Sequence, residues 1–499
     1  MKQIDERFGG SMKITPEQGG IPSLAIKEFL ETLEKGELST HSVIIAKGND
    51  ILFEKYYEPF NADFLHRIYS ETKSFVALAV GFAEQDGLVK LDDPISKYFP
   101  EECENIKDPK MGEQTVRQML MMSTPKNEKY WFDIRTDDRV RDYFKKAVTV
   151  APCGSEFQYD SSGSFVLGAM VERVTEKSLL DYLDKKLFSK IGILRENLRC
   201  LKAPGGHSWG DSAMLMKPRD LVKVIRFLLD KGKVDGEQIL NEKFVCDATS
   251  ALISTEHHSG EFARKGYGYL IWRTFENSFF FNGMGAQLAV GSPDKDLILV
   301  VMSDDQGIDE AKGIIFDGYF DKVYSKAGEP LPEDKAALAE LENYANSLKL
   351  FCEKGEKSSP LAEKINGKTF VLDENPMGIE NVKFTFLKDR GILEYKNAQG
   401  CKSLVFGMCE NCFTIFPEEG YSREVGSQYA VGNYYKCATS AAWKTENRLV
   451  VNVQVIDEYF GRLWMKFDFE SDEITVSMRK SAEDFFTSYK GTAKGKILV

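Results

Sequence analysis

The 499-residue chain has no long apolar run, no surplus of positive charge and few histidines, and each shortage removes a class of function. Its most apolar helical stretch, residues 75–83, is far too short to span a bilayer. A net charge of −12 speaks against nucleic acid and anionic membrane surfaces as partners. All five histidines precede Cys409-Glu410-Asn411-Cys412, so this lone Cys-x-x-Cys has no zinc ligands close by. Two free thiols on a hairpin are expected there, and no metal. His257-His258 reads as an exposed loop pair. Also missing are His-Glu-x-x-His, Gly-x-Ser-x-Gly, a P-loop and a Rossmann glycine pattern in a strand-to-helix setting. Residues 1–7 lack the apolar core of an export signal, and the nine cysteines are odd in number and scattered. Reduced thiols and a cytoplasmic location are the expectation, with no cofactor.

What the chain does have is Ser70-Glu71-Thr72-Lys73 at the head of an apolar helical run. Residues three apart project from the same face of a helix. A serine at a helix start also sits among free backbone N–H groups that favour a developing anion. Ser-x-x-Lys occurs four times, but the other three lack this setting. Ser123-Thr124-Pro125-Lys126 contains a helix-breaking proline. Ser292-Pro293-Asp294-Lys295 lies between two strand-like runs and reads as a turn. Ser477-Met478-Arg479-Lys480 falls in an alternating, strand-like stretch. After Ser70, by contrast, apolar residues recur at three and four (Phe75, Val76, Ala79, Val80, Ala83), and Asp86-Gly87 is a plausible stop.

Organisation changes along the chain. Residues 1–328 combine a helix at 24–34, a hairpin of 42–46 with 51–57, the Ser70 helix and a helix-rich stretch from 115 to 240. Strands are expected at 268–275, 279–282, 287–290 and 297–302, then a closing helix at 309–324. Strands at both ends with helices between predict one antiparallel sheet with a helical insertion, an α+β architecture. Residues 329–363 read as a linker carrying a helix at 333–349. From 364 to 499 some seven short strands alternate with turns, which predicts an antiparallel β domain, barrel or sandwich, without a chemical constellation of its own.

A serine hydroxyl needs a base, and a lysine with its ordinary pKa near ~10.4 is protonated at neutral pH. It must be desolvated or share the task with another group. Tyr159 is the best-placed phenol by sequence, in the glycine-containing loop Gly154-Ser155-Glu156-Phe157-Gln158-Tyr159-Asp160-Ser161 before a helix.

These stretches come in a fixed order: Arg67-Ile68-Tyr69-Ser70-Glu71-Thr72-Lys73-Ser74, Gly87-Leu88-Val89-Lys90-Leu91-Asp92-Asp93-Pro94-Ile95, Thr115-Val116-Arg117-Gln118-Met119-Leu120, the Tyr159 loop, Gly266-Tyr267-Gly268-Tyr269-Leu270-Ile271-Trp272 and Asn282-Gly283-Met284-Gly285-Ala286-Gln287. In that order they resemble the serine β-lactamase and penicillin-binding-protein superfamily, with the class C-like esterase and amidase branch, including the 6-aminohexanoate-dimer hydrolases, the nearest match. The resemblance implies a β-lactamase-like α+β domain over residues 1–328; the β domain beyond it is expected, from its strand spacing, as a lipocalin-like barrel or a sandwich.

It further implies Ser70 as acylated nucleophile, Lys73 as its base or electrostatic partner and Tyr159 as proton shuttle. The N–H of Met284, just after Gly283, joins that of Ser70 as oxyanion donor. Two departures stand out. The usual Tyr-x-Asn is Tyr159-Asp160-Ser161, so the Ser161 hydroxyl replaces an amide that contacts substrate and lysine. The strand motif reads Phe281-Asn282-Gly283, without the cation that anchors a β-lactam or peptide carboxylate. Trp209, in Gly206-His207-Ser208-Trp209-Gly210, is expected as a wall of the cleft. The implied activity is hydrolysis of a small-molecule ester or amide through an acyl-enzyme. The alternatives are a D-stereospecific aminopeptidase, a β-lactamase-like amidase and a non-catalytic ligand-binding descendant. A homo-oligomer remains open.

Overall fold

The computed structural model describes residues 14–127, 136–426, 428–483 and 485–498. The chain divides into two units, Met1–Lys349 with Glu424–Gly426, and Leu350–Arg423 with Ser427–Val499.

In the first unit, strands from both ends of the sequence meet in one antiparallel sheet. Strands β1 (Thr40–Lys47), β2 (Asp50–Tyr56), β3 (Trp272–Arg273), β4 (Phe279–Gly283), β5 (Gln287–Ser292) and β6 (Leu297–Ser303) lie in the order β2-β1-β6-β5-β4-β3. The central pair β1 and β6 aligns Val43 with Val301 and Ile45 with Leu299. Both strands are almost wholly buried, apolar over residues 43–46 and 297–302, the pattern of a sheet covered on both faces.

Strand β4 shows how the two faces are filled, because successive side chains point to opposite sides. Phe279 lies beside Gly291 and Ile225, the latter from the helix Pro218–Leu229. Phe280 packs on Phe316 of the helix Ala311–Gly318, ring centroids 4.9 Å apart. Phe281 returns to the first face and meets Phe75 at 5.8 Å.

Four helices of this unit are used below: α1 (Thr72–Gln85), α2 (Ser161–Thr175), α3 (Pro218–Leu229) and α4 (Ala311–Gly318). Every residue of α1 from Thr72 to Ala83 is buried, so it is a core helix apolar all round. It packs along α2, where Gly168 faces Val76.

Two expected elements are shorter than the sequence suggests. Only Trp272–Arg273 forms a strand in 268–275, since Leu270 takes a left-handed φ of 53° that breaks the extended run. The closing helix is α-helical only over Ala311–Gly318, then widens into a π-turn at Tyr319–Val323. The tripeptide Glu424–Gly426 completes the first unit: Val425 forms a parallel bridge with Lys202, and Gly426 N–H donates to the Lys202 carbonyl.

The second unit is a barrel, which decides between the two expected β architectures. Its strands are β7 (Thr369–Leu372), β8 (Asn381–Phe386), β9 (Arg390–Asn397), β10 (Gly400–Met408), β11 (Cys412–Tyr421), β12 (Tyr429–Thr445), β13 (Arg448–Val455), β14 (Gly461–Glu470), β15 (Glu473–Ala482) and β16 (Gly491–Ile497). Antiparallel neighbours run β10-β9-β8-β7-β16-β15-β14-β13-β12, and a parallel pairing of Gly407 with Ser440 and Met408 with Ala441 closes the ring. Nine strands form the barrel, and β11 lies outside the ring on β12.

All nine cysteines, Cys409 and Cys412 included, are free thiols. Among the described residues no group of side chains is arranged to hold a metal ion, and no helix is long and apolar enough to cross a membrane.

Candidate active site

Ser70 sits one step earlier in the local structure than its spacing suggests. It occupies a 3-10 turn, Tyr69–Glu71, and the α-helix begins at Thr72. Tyr69 holds a left-handed φ of 48° with its side chain fully buried. A bulky residue stays in that region only when its surroundings enforce it. The enforcement is visible: Thr72 Oγ1 donates to the Tyr69 carbonyl at 2.6 Å and accepts from Met214 N–H at 3.1 Å. Ile68 N–H donates to the Met214 carbonyl, and Ser74 Oγ to that of Leu270. The turn lifts Ser70 into partial exposure at the mouth of a buried helix.

Lys73 is buried, and its side-chain nitrogen bridges two oxygens. It donates to Ser70 Oγ at 2.9 Å and to the Asp211 carbonyl at 2.7 Å. The third side is aromatic: the amine lies 5.1 Å from the ring centroid of Tyr159. Tyr159 stacks in turn on buried Trp272 at 5.9 Å. The structure thus brings Ser70, Lys73 and Tyr159 to one place.

The Asp211 carboxyl is itself buried, and its Oδ1 has no hydrogen-bond partner among the described residues. Burial pushes its pKa up to about 6, against the downward pull of Lys73, Arg139 and Arg67.

Beneath the Tyr159 loop lies an ion pair. Lys126 and Asp160 are both buried and bond directly, and the Asp160 carboxylate also caps α2 by accepting from Gly163 N–H. Burial raises the Asp160 pKa, but the charge and hydrogen bond of Lys126 outweigh it and hold the carboxyl below its usual range. Lys126 belongs to the proline-interrupted Ser-x-x-Lys. That stretch is indeed not helical, yet its lysine anchors the loop carrying Tyr159.

Strand β4 runs beside the Ser70 turn. Gly283 is required by contact: a Cβ there would lie 2.4 Å from the Ile68 carbonyl oxygen. Met284 follows in the turn to β5, partly exposed, its carbonyl accepting from Gln287 Nε2 at 2.8 Å. Asn282, opposite in direction to Phe281, accepts from Lys312 Nζ at 2.5 Å. Lys312 comes from the first turn of α4. Burial holds its amine down at about 8, against the opposing charge of Glu71. Glu71 is fully buried, neither carboxyl oxygen has a hydrogen-bond partner among the described residues, and burial keeps its pKa well above the usual carboxylate range.

Two expected positions fall elsewhere. Trp209 is fully buried, with the guanidinium groups of Arg67 at 5.1 Å and Arg139 at 4.6 Å against its ring, so it is a packed core residue rather than a cleft wall. Ser161 opens α2, directly after its capping residue Asp160. His258 is not an exposed partner of His257, because it packs on Trp272 at 5.0 Å.

An antiparallel sheet between helices, with a Ser-x-x-Lys turn against one strand, defines a recognisable class. The family model described as Beta-lactamase matches residues 25–315, and the chain belongs to that family. It is 25% identical over 314 residues to the 6-aminohexanoate-dimer hydrolase of Paenarthrobacter ureafaciens, covering 58% of this chain and 79% of that one. Protein flp of Staphylococcus aureus strain MW2 is 25% identical over 172 residues, 30% of this chain and 33% of its own. Among solved structures, a Bacillus anthracis protein provisionally described as a 6-aminohexanoate-dimer hydrolase aligns with TM-score 0.51 and 18% identity, over 58% of this chain and 80% of that one. The expected α+β fold with its C-terminal barrel is what the molecule has.

Proposed function

We propose that this chain is a serine hydrolase that cleaves an ester or amide of a small molecule through an acyl-enzyme on Ser70. The observation that carries the reading is the 2.9 Å bond from the buried Lys73 amine to Ser70 Oγ, with the Tyr159 ring against the same amine. In the proposed cycle Ser70 Oγ attacks the carbonyl carbon and its proton passes to the Lys73–Tyr159 pair. The N–H groups of Ser70 and Met284 hold the oxyanion. Collapse breaks the bond to the alcohol or amine, which leaves with the proton taken from Ser70. Water repeats the sequence on the acyl-enzyme and releases the acid.

The relatives named as 6-aminohexanoate-dimer hydrolases support amide cleavage within this reading. A fluorophosphonate is expected to label Ser70, read by mass spectrometry, and Ser70→Ala to abolish both adduct and turnover of a p-nitrophenyl short-chain ester. Tyr159→Phe and Lys73→Ala are expected to lower kcat by roughly 10²–10⁴-fold, the usual worth of general acid–base catalysis. No adduct at Ser70, with turnover unchanged in Ser70→Ala, overturns the reading. Rates on nitrocefin, D-amino-acid amides and simple esters rank the amidase and aminopeptidase alternatives. Stoichiometric binding without any burst of leaving group would instead mark a non-catalytic descendant.

A further inference from the structure

We propose that Lys312 is the anion anchor of this site, so that its preferred ester or amide carries a carboxylate. The inference deepens the Ser70 reading and rests on it.

The motif strand has no cation of its own, because Phe281 fills that position and turns its ring onto Phe75. The next residue, Asn282, faces the other side of the sheet and receives the Lys312 ammonium at 2.5 Å. A positive charge is therefore delivered to the same strand, one residue along, by a helix instead of by the strand. Asn282 leads through Gly283, pressed on the Ile68 carbonyl, into Met284, so the ammonium stands beside the stretch that borders the Ser70 turn.

The charge is not neutralised where it stands. An ammonium has three donors, and Lys312 uses one, on a neutral amide. Among the described residues it forms no ion pair. The carboxyl that acts on it is Glu71, which burial holds well above the usual range and thus toward its neutral form. Lys312 also lies in the first turn of α4, where backbone N–H groups favour a negative partner. A partly buried cation with donors to spare and no carboxylate bonded to it is costly, and a substrate carboxylate is the group that would satisfy it.

A purely structural role is the rival, with Lys312 and Asn282 serving only to tie α4 to the strand. The two differ in substrate dependence. Three esters of similar reactivity separate them, measured with the full chain: neutral p-nitrophenyl butyrate, mono-p-nitrophenyl glutarate with the carboxylate on the acyl group, and 4-carboxyphenyl butyrate with it on the leaving group. Lys312→Met is expected to lower kcat/KM for one anionic ester, relative to the neutral ester, by about ten-fold or more, chiefly through KM, as loss of a charge-assisted hydrogen bond predicts. Lys312→Arg is expected to keep most of the preference. Equal losses on all three esters, or a wild-type enzyme that favours the neutral ester over both anionic ones, overturn the proposal.

If Lys312→Met does not fold, the wild type still decides. Glutarate is expected to protect Ser70 from fluorophosphonate labelling while uncharged glutaramide is not, and equal protection overturns it. Failure of the Ser70 reading looks different, because the neutral ester would then not turn over at Ser70.

Discussion

Asp211 places its backbone and its carboxyl at odds with each other. The carbonyl steadies Lys73, while the buried carboxyl carries a pKa raised from 3.8 to about 6. A group whose folded pKa is raised binds its proton more tightly in the native state. Its contribution is therefore present below the unfolded value and lost as pH rises through about 6. Asp211→Asn is expected to raise unfolding free energy at pH 8 by on the order of 1–3 kcal/mol and to change it little at pH 4. Urea melts at the two pH values check this. The same variant is expected to slow ester turnover at pH 8, because the ammonium formed on Lys73 loses a nearby negative charge. At Lys312 the sign is opposite in use: the amine, with Glu71 and His258 the titratable groups that interact with it, is held at about 8. Any preference for an anionic ester is expected to decay as pH rises through that value, measured as the anionic-to-neutral ratio of kcat/KM. The meeting of Ser70 and Lys73 was legible because both lie within one turn. Asp211 is 138 residues from Lys73, Lys126 is 34 from Asp160 and Lys312 is 30 from Asn282, and no local pattern joins them.

Elements were legible where periodicity was strong and uninterrupted. Strand β6, the middle of β1 and the Ser70 helix are uninterrupted apolar stretches, as a setting buried on all sides favours. Prediction ran short where one residue departs from regular backbone, as at Leu270 and Tyr69, whose left-handed conformations are imposed by neighbours. In the second unit ten strands stand where some seven were expected, and in β12 and β16 Gly432-Asn433 and Gly491, Gly495 dilute the strand signal. The approach of β4 to the Ser70 turn depends on the absence of a side chain at Gly283. Gly283→Ala would set a Cβ 2.4 Å from the Ile68 oxygen and 2.6 Å from Gln287 Cβ, forcing strand and turn apart. The expected outcome is an enzyme that keeps its circular dichroism spectrum and loses roughly ten-fold or more in kcat, the scale of one weakened oxyanion contact.

For the molecule as a whole, composition and element order indicated an α+β unit followed by a β unit. What composition cannot carry is a short piece of late sequence that belongs to the early unit. Gly426 illustrates it, since a Cβ there would lie 1.8 Å from the Trp209 ring. Gly426→Leu is expected to destabilise the first unit, read as a lower thermal midpoint and a red-shifted tryptophan emission. A chain ending at Lys349, which lacks Glu424–Gly426, is expected to show the same shift.

The order of synthesis gives that tripeptide a further meaning. When the ribosome has finished Lys349, the earlier unit still lacks the partner of Lys202, and it must wait through much of the barrel's translation to receive it. Formation of these Lys202 contacts is thereby tied to synthesis of the barrel as far as Gly426, and a message truncated before Glu424 would yield a first unit lacking its final stitch.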